Sequence, residues 1–145
     1  MFLLTMTKQE IVLEPLSAME TPFLGLDHVQ VAAPPGCEVA ARRFYGELLG
    51  LVEIEKPPLL AARGGCWFRL GAHELHIGVA SDFAPATKAH PGILVSSADA
   101  LRELARRLQL AGIEVEWADP AEIAGRDRFH VHDPWGNRLE FLAPA

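Results

Sequence analysis

The stretch Leu49-Gly50-Leu51-Val52-Glu53-Ile54-Glu55 has a counterpart in Ala111-Gly112-Ile113-Glu114-Val115-Glu116-Trp117. Each reads as the end of a helix, a glycine that stops it and a short strand. The spacing upstream matches as well. His28 to Gly50 is 22 residues, and His90 to Gly112 is 22 residues. The chain therefore reads as an internal duplication with an offset of 62 residues.

Working outward, each copy has the same order of elements. In the first, Leu26–Ala33 alternates as a strand, Pro34-Pro35-Gly36 turns, and Cys37–Leu49 has helical periodicity. Leu51–Glu55 is a short strand that Pro57 and Pro58 break. Ala61–Leu70 and Glu74–Val79 form a hairpin around Gly71-Ala72-His73. In the second, Pro91–Ser96 is a strand, and Ser97, or Ser96, caps a helix with Leu101, Leu104, Ala105 and Leu108 on one side. Ile113–Trp117 follows as a strand. Arg126–Val131 and Arg138–Leu142 then flank the turn Asp133-Pro134-Trp135-Gly136-Asn137.

The reading is an α+β protein of two βαβββ modules, at about 25–80 and about 90–143. Neither module can bury its sheet alone. The two are expected to form one curved mixed sheet within a single domain over 23–145, with the helices on the outer face. Residues 1–22, interrupted by Pro15 and Pro22, are expected to be an irregular arm.

Composition narrows the function. The 145 residues are 50% hydrophobic and 22% charged, which is a globular balance. Nineteen acidic against 13 basic side chains give a net charge of −6, which argues against nucleic acid or anionic membrane as the main partner. Cys37 and Cys66 lack the spacing of a zinc or redox motif and are too few for a disulfide framework. They point to reduced thiols and a cytoplasmic location. No apolar run is long enough to span a bilayer as a helix.

Strand alternation supplies the functional clue, because residues two apart share a face. Val29 and Val31 share one face of the first strand, and His28 and Gln30 the other. Leu75 and Ile77 oppose Glu74 and His76, while Leu139 and Phe141 oppose Arg138 and Glu140. His90 is in phase with the face opposite Ile93 and Val95. If the apolar faces pack against the helices, His28, His76, His90 and Glu140 lie on the other side. Three imidazoles and a carboxylate suit a divalent metal such as Fe, Mn, Ni, Co or Zn. The alternative is a solvated polar face with no ligand role.

At these residues the chain resembles the vicinal oxygen chelate superfamily, which includes glyoxalase I, extradiol dioxygenases, fosfomycin-resistance proteins and bleomycin-binding proteins. The similar stretches are Gly25-Leu26-Asp27-His28-Val29, Ala41-Arg42-Arg43-Phe44-Tyr45 leading to Leu48-Leu49-Gly50-Leu51, and Asp133-Pro134-Trp135-Gly136-Asn137-Arg138-Leu139-Glu140. The resemblance implies paired βαβββ modules, a metal cleft, a small-molecule substrate and a homodimer. It maps a two-histidine, one-glutamate ligand set onto His28, His90 and Glu140, with His76 as fourth ligand or catalytic base. Glyoxalase I has a glutamate where this chain has His76, so the chain departs from that pattern. The implied chemistry is that of a metal-dependent lyase or isomerase, or of a ring-cleaving dioxygenase. The non-enzymatic alternative is a metal-free, bleomycin-resistance-like binding protein.

Five further residues are candidates for substrate contact. Gln30 shares its face with His28. Trp67 and Arg69 share one face of their strand, and Arg128 and His130 share one face of theirs. An arginine there could clamp a carboxylate or phosphonate. The resemblance matches His130 to a substrate-contacting tyrosine position in fosfomycin-resistance proteins.

Overall fold

A computed structural model of the chain describes residues 22–144. All of the expected arm except Pro22 lies outside the described residues. The first module runs β1 (His28–Ala33), α1 (Glu38–Ala41) continuing as a π-helix (Arg42–Leu48), β2 (Val52–Ile54), α2 (Pro58–Ala61), β3 (Cys66–Leu70) and β4 (His73–Val79). The second runs β5 (Gly92–Leu94), α3 (Ala98–Leu110), β6 (Glu116–Trp117), β7 (Arg126–His132) and β8 (Arg138–Pro144).

The strands form two four-stranded mixed sheets, ordered β1-β4-β3-β2 and β5-β8-β7-β6. In each, the first strand runs parallel to the last and the other pairs are antiparallel. The duplicated βαβββ order is thus present as two sheets of the same topology. Both helix-ending glycines adopt the left-handed backbone their position requires, with φ of +80° at Gly50 and +81° at Gly112.

The register makes the two halves comparable position by position. Gln30 pairs with His76, which pairs with Trp67. Gly92 pairs with Glu140, which pairs with His130. Gln30 and Gly92, His76 and Glu140, and Trp67 and His130 are therefore equivalent. The offset grows from 62 on the first strands to 64 on the last, which no single sequence offset reveals.

The apolar faces meet the helices as alternation predicts. Val31, Phe68, Leu75 and Ile77 from one sheet, and Ile93, Phe129, Leu139 and Phe141 from the other, join one buried cluster. Phe44 and Tyr45 enter it from the first helix; Leu101, Ala105 and Leu108 enter it from α3. Ser97 caps α3 through Oγ, which accepts from the Ala100 N–H at 3.1 Å.

Several local expectations change; the strand expected over Ile113–Trp117, for one, shortens to Glu116–Trp117. The helix expected over Cys37–Leu49 is α-helical only to Ala41, then widens into a π-helix. The Leu49 N–H reaches the Phe44 carbonyl, five residues back, at 2.9 Å. The strand expected from Ala61 begins only at Cys66, because Pro58 starts a short helix, where its missing N–H costs nothing. His73, placed in the hairpin turn, is the first residue of β4.

The Asp133–Asn137 turn is more than a hairpin. Asp133 and Asn137 are both buried. Asp133 accepts from the Tyr45 hydroxyl, from the Trp135 and Asn137 N–H groups and from Asn137 Nδ2. Asn137 Nδ2 also donates to the Ala32 carbonyl, and its Oδ1 accepts from the Ala86 N–H. The turn of the second module is thereby tied to the first module and to the connection between them.

Candidate functional site

The faces away from the helices carry two clusters, one on each sheet. On the second sheet, Glu140 is the centre. Its Oε2 lies 3.1 Å from His90 Nε2, and its Oε1 accepts from Arg128 at 2.9 Å and lies 3.6 Å from His130 Nε2. The ligand atoms of His90, His130 and Glu140 all lie within 4.8 Å of one another, the one such group among the described residues. Arg128 also pairs with Glu122.

The hydrogen bonding of His90 is informative. Its Nδ1 lies 2.8 Å from the Lys88 carbonyl, which can only accept, so Nδ1 carries a hydrogen. In the neutral ring, Nε2 then presents a lone pair to a carboxylate oxygen. Two acceptors at 3.1 Å are compatible only with a proton or a cation between them. Burial alone would raise the pKa of Glu140, but hydrogen bonds from Arg128 and His90 outweigh it and the carboxyl titrates below its ordinary range. Burial, reinforced by Arg138, holds the His130 imidazole below its ordinary value against the pull of Glu140.

On the first sheet, three rings stand side by side across three strands. Trp67 stacks on His76 with centroids 3.8 Å apart, and His76 stacks on His28 at 4.3 Å. His76 is buried, and its Nε2 lies 2.8 Å from Glu74 Oε2. His28 Nδ1 lies 2.8 Å from Asp27 Oδ1. In each neutral imidazole the nitrogen held by a carboxylate takes the hydrogen. His76 Nδ1 and His28 Nε2 are left with lone pairs.

The structure thus sorts the sequence candidates into pairs. His90 with Glu140 is one and His28 with His76 the other. His28 and His76 stand outside the 4.8 Å group, and His130 joins it. His28 and His90 nevertheless open onto the same cavity of about 600 Å³, which lies between the β1 and β5 edges and is also bordered by Gln30, Glu74, Gly92 and Arg138. Trp67 and Arg69 are on the His76 face, where Arg69 lies 3.7 Å from Glu74. Arg128 is engaged by two carboxylates rather than open to a ligand.

Sequence reading missed His130 as a donor and Asp27 and Glu74 as the groups that orient His28 and His76. Alternation places Glu74 and His76 on one face, and that signal could have found Glu74. His130 was read as a substrate contact, and its closeness to Glu140 comes from the β7–β8 register, which pairs the two.

Two βαβββ sheets with imidazoles and a carboxylate on their open faces define the class seen in vicinal oxygen chelate proteins. The chain belongs to the glyoxalase/bleomycin resistance protein/dioxygenase superfamily, whose family model matches residues 25–141. A glyoxalase family protein from Bacillus anthracis is 49% identical, with a TM-score of 0.81 over 88% of this chain and 100% of that one. Lactoylglutathione lyase from Agrobacterium tumefaciens shares the fold at 21% identity, with a TM-score of 0.65 over 85% of this chain and 96% of that one. The fosfomycin resistance protein FosX from Listeria monocytogenes does so at 16% identity, with a TM-score of 0.65 over 85% and 95%. No curated protein matches significantly. No helix among the described residues is long and apolar enough to cross a membrane.

Proposed function

We propose that the protein is a divalent-metal-dependent enzyme acting on a small molecule that presents two neighbouring oxygens. The observation that carries this reading is the convergence of His90, His130 and Glu140, whose ligand atoms all lie within 4.8 Å of one another. Two imidazoles and a carboxylate are a donor set that suits Fe, Mn, Co, Ni or Zn. His90 and Glu140 are the core of the proposed site. His130 is the third donor within reach, and His28, with His76 stacked on it, stands on the opposite wall of the cavity. A homodimer that exchanges modules is the proposed assembly that sets a His28–His76 pair directly against a His90–Glu140 pair.

A metal held there would act as a Lewis acid toward the substrate oxygens. The chain's own proton acceptor is His76. Glu74 fixes its ring through Nε2, leaving the Nδ1 lone pair to take a proton from a bound substrate. The stacked indole of Trp67 excludes water from one side of that ring. Lyase or isomerase chemistry uses this base directly, and ring-cleaving dioxygenation is the other class the donor set allows. Both cysteines are buried and unbridged, in keeping with the reducing cytoplasm proposed as its location.

One observation favours a second reading. The Arg128 guanidinium already neutralises Glu140, as suits a metal-free, bleomycin-resistance-like binding protein. Elemental analysis of the purified protein, with thermal shifts after adding Fe(II), Mn, Co, Ni or Zn to the stripped protein, separates the two. About one metal per chain with a saturable rise in Tm supports the enzyme. No metal and no shift with any ion leaves the binding protein.

A further inference from the structure

Beside the first sheet's ring stack lies a second, smaller cavity of about 240 Å³. It is bordered by Gln30, Lys56, Arg63, Gly64, Trp67 and Gly78. We propose that Lys56, Arg63, Gln30 and Trp67 form a subsite for the anionic end of the substrate, a carboxylate or phosphoryl group on a small organic molecule. The subsite rests on the function proposed above and names the substrate class for that site.

The placement makes it part of the same surface. Gln30 is two residues beyond His28 on one face of β1, roughly 6–7 Å along the strand. Trp67 belongs to both places, since it stacks on His76 and borders this cavity. A molecule lying against the edge of the His28–His76 stack at one end can therefore extend into the cavity at the other.

The polar groups there are available. Arg63 makes no side-chain hydrogen bond or ion pair among the described residues, and neither does the Gln30 amide. Lys56 gives one hydrogen to the Gly64 carbonyl and keeps two. The Glu38 carboxylate accepts from the Gly65 N–H at 2.8 Å, with Arg42 and Lys56 near it. Arg42 in turn is paired with Glu53. The cavity's own lining holds two cations, Lys56 and Arg63, and no carboxylate, in a chain whose net charge is −6. Gly78 leaves the space the Gln30 amide occupies, because a Cβ there would lie 2.6 Å from the Gln30 amide carbon. Leu60 and Trp67 add apolar surface, which suits an anion carried on an organic group rather than a bare inorganic one.

The test is a titration of the full-length ¹⁵N-labelled protein with benzoate, phenylphosphonate, inorganic phosphate and neutral benzyl alcohol, following the amides of Gly64, Gly65 and Gly78. The expected result is saturable shifts with benzoate or phenylphosphonate, weaker ones with inorganic phosphate and none with benzyl alcohol. Arg63→Glu, at a side chain that holds nothing in place, should weaken the organic anion by about tenfold or more. Unsaturable shifts, equal binding of benzyl alcohol, or unchanged affinity in Arg63→Glu would overturn the subsite. A parallel metal titration of the unsubstituted protein keeps the two readings apart. Metal binding without anion binding removes the subsite alone; anion binding without metal removes the metal enzyme alone.

Discussion

The hydroxyl of Tyr45 donates to Asp133 at 2.8 Å, across 88 residues of chain and between the two modules. Both residues are buried. Burial, the Asp133 charge and this hydrogen bond together push the Tyr45 phenol far above its ordinary pKa, so it stays a donor at any working pH. Tyr45→Phe removes the donor and leaves a buried carboxylate with one bond fewer. Urea denaturation should show a loss of about 1–2 kcal/mol. An unchanged midpoint would mean that this bond adds nothing to the joining of the modules beyond apolar contact and the Asn137–Ala32 hydrogen bond.

At the metal site, His90→Ala and Glu140→Gln should each weaken metal affinity by about a hundredfold or more, because ligands matter at least as much as the groups that orient them. His73→Ala, at an exposed residue, should leave it unchanged. Arg128→Met removes the cation that shares the Glu140 carboxylate and should tighten metal binding. Isothermal titration with Zn or Mn reads all four. Equal affinity throughout would discard the site.

Gly65 tests the packing beneath the ring stack. Its φ is +81°, and a Cβ would lie 2.0 Å from the Ile77 carbonyl oxygen. Gly65→Ala should cost more than about 3 kcal/mol, from backbone strain plus an overlap that only a strand shift relieves. Gly71→Ala has a positive φ but nothing within 4 Å, and should cost about 1 kcal/mol. Thermal melts of the two variants give the comparison.

Acid should weaken the fold partly through Glu38. The Gly65 N–H, then Glu38's own backbone amide, hold its carboxyl below the usual range against a small opposing effect of burial. A depressed folded pKa adds stability above the unfolded value, near pH 4.3, that is lost as pH falls through the folded one. Glu38→Gln should lower stability by about 1 kcal/mol at pH 7 and flatten its decline below about pH 5. Denaturation midpoints at pH 7, 5 and 3 check both.

Much of the fold was legible because alternation is a strong local signal. The split of Leu75 and Ile77 from Glu74 and His76 places those four side chains as found. The paired glycines Gly50 and Gly112 marked both helix ends for a backbone reason. The π-helical stretch was not legible, since Arg42–Leu48 keeps an ordinary helical periodicity. At the site, parity gave the face of each candidate but not the distances across it. His130 came to Glu140 through the β7–β8 register, which depends on where the Asp133–Asn137 turn sits. The turn itself was legible from its own residues, but the bond from Tyr45 that ties it to the other module was not.

The position-by-position equivalence of the halves has a stereochemical consequence. Identical modules would present a symmetric pair of walls, and a molecule spanning them could lie either way round. Here the equivalent positions hold His76 against Glu140, Trp67 against His130 and Gln30 against Gly92. One wall offers stacked rings and an amide, the other a carboxylate with imidazoles. In the proposed site, a molecule with two unlike ends would be held in one direction only. It would turn the same one of its two mirror-related faces toward His76 each time, and divergence between the copies would make the cleft selective for handedness.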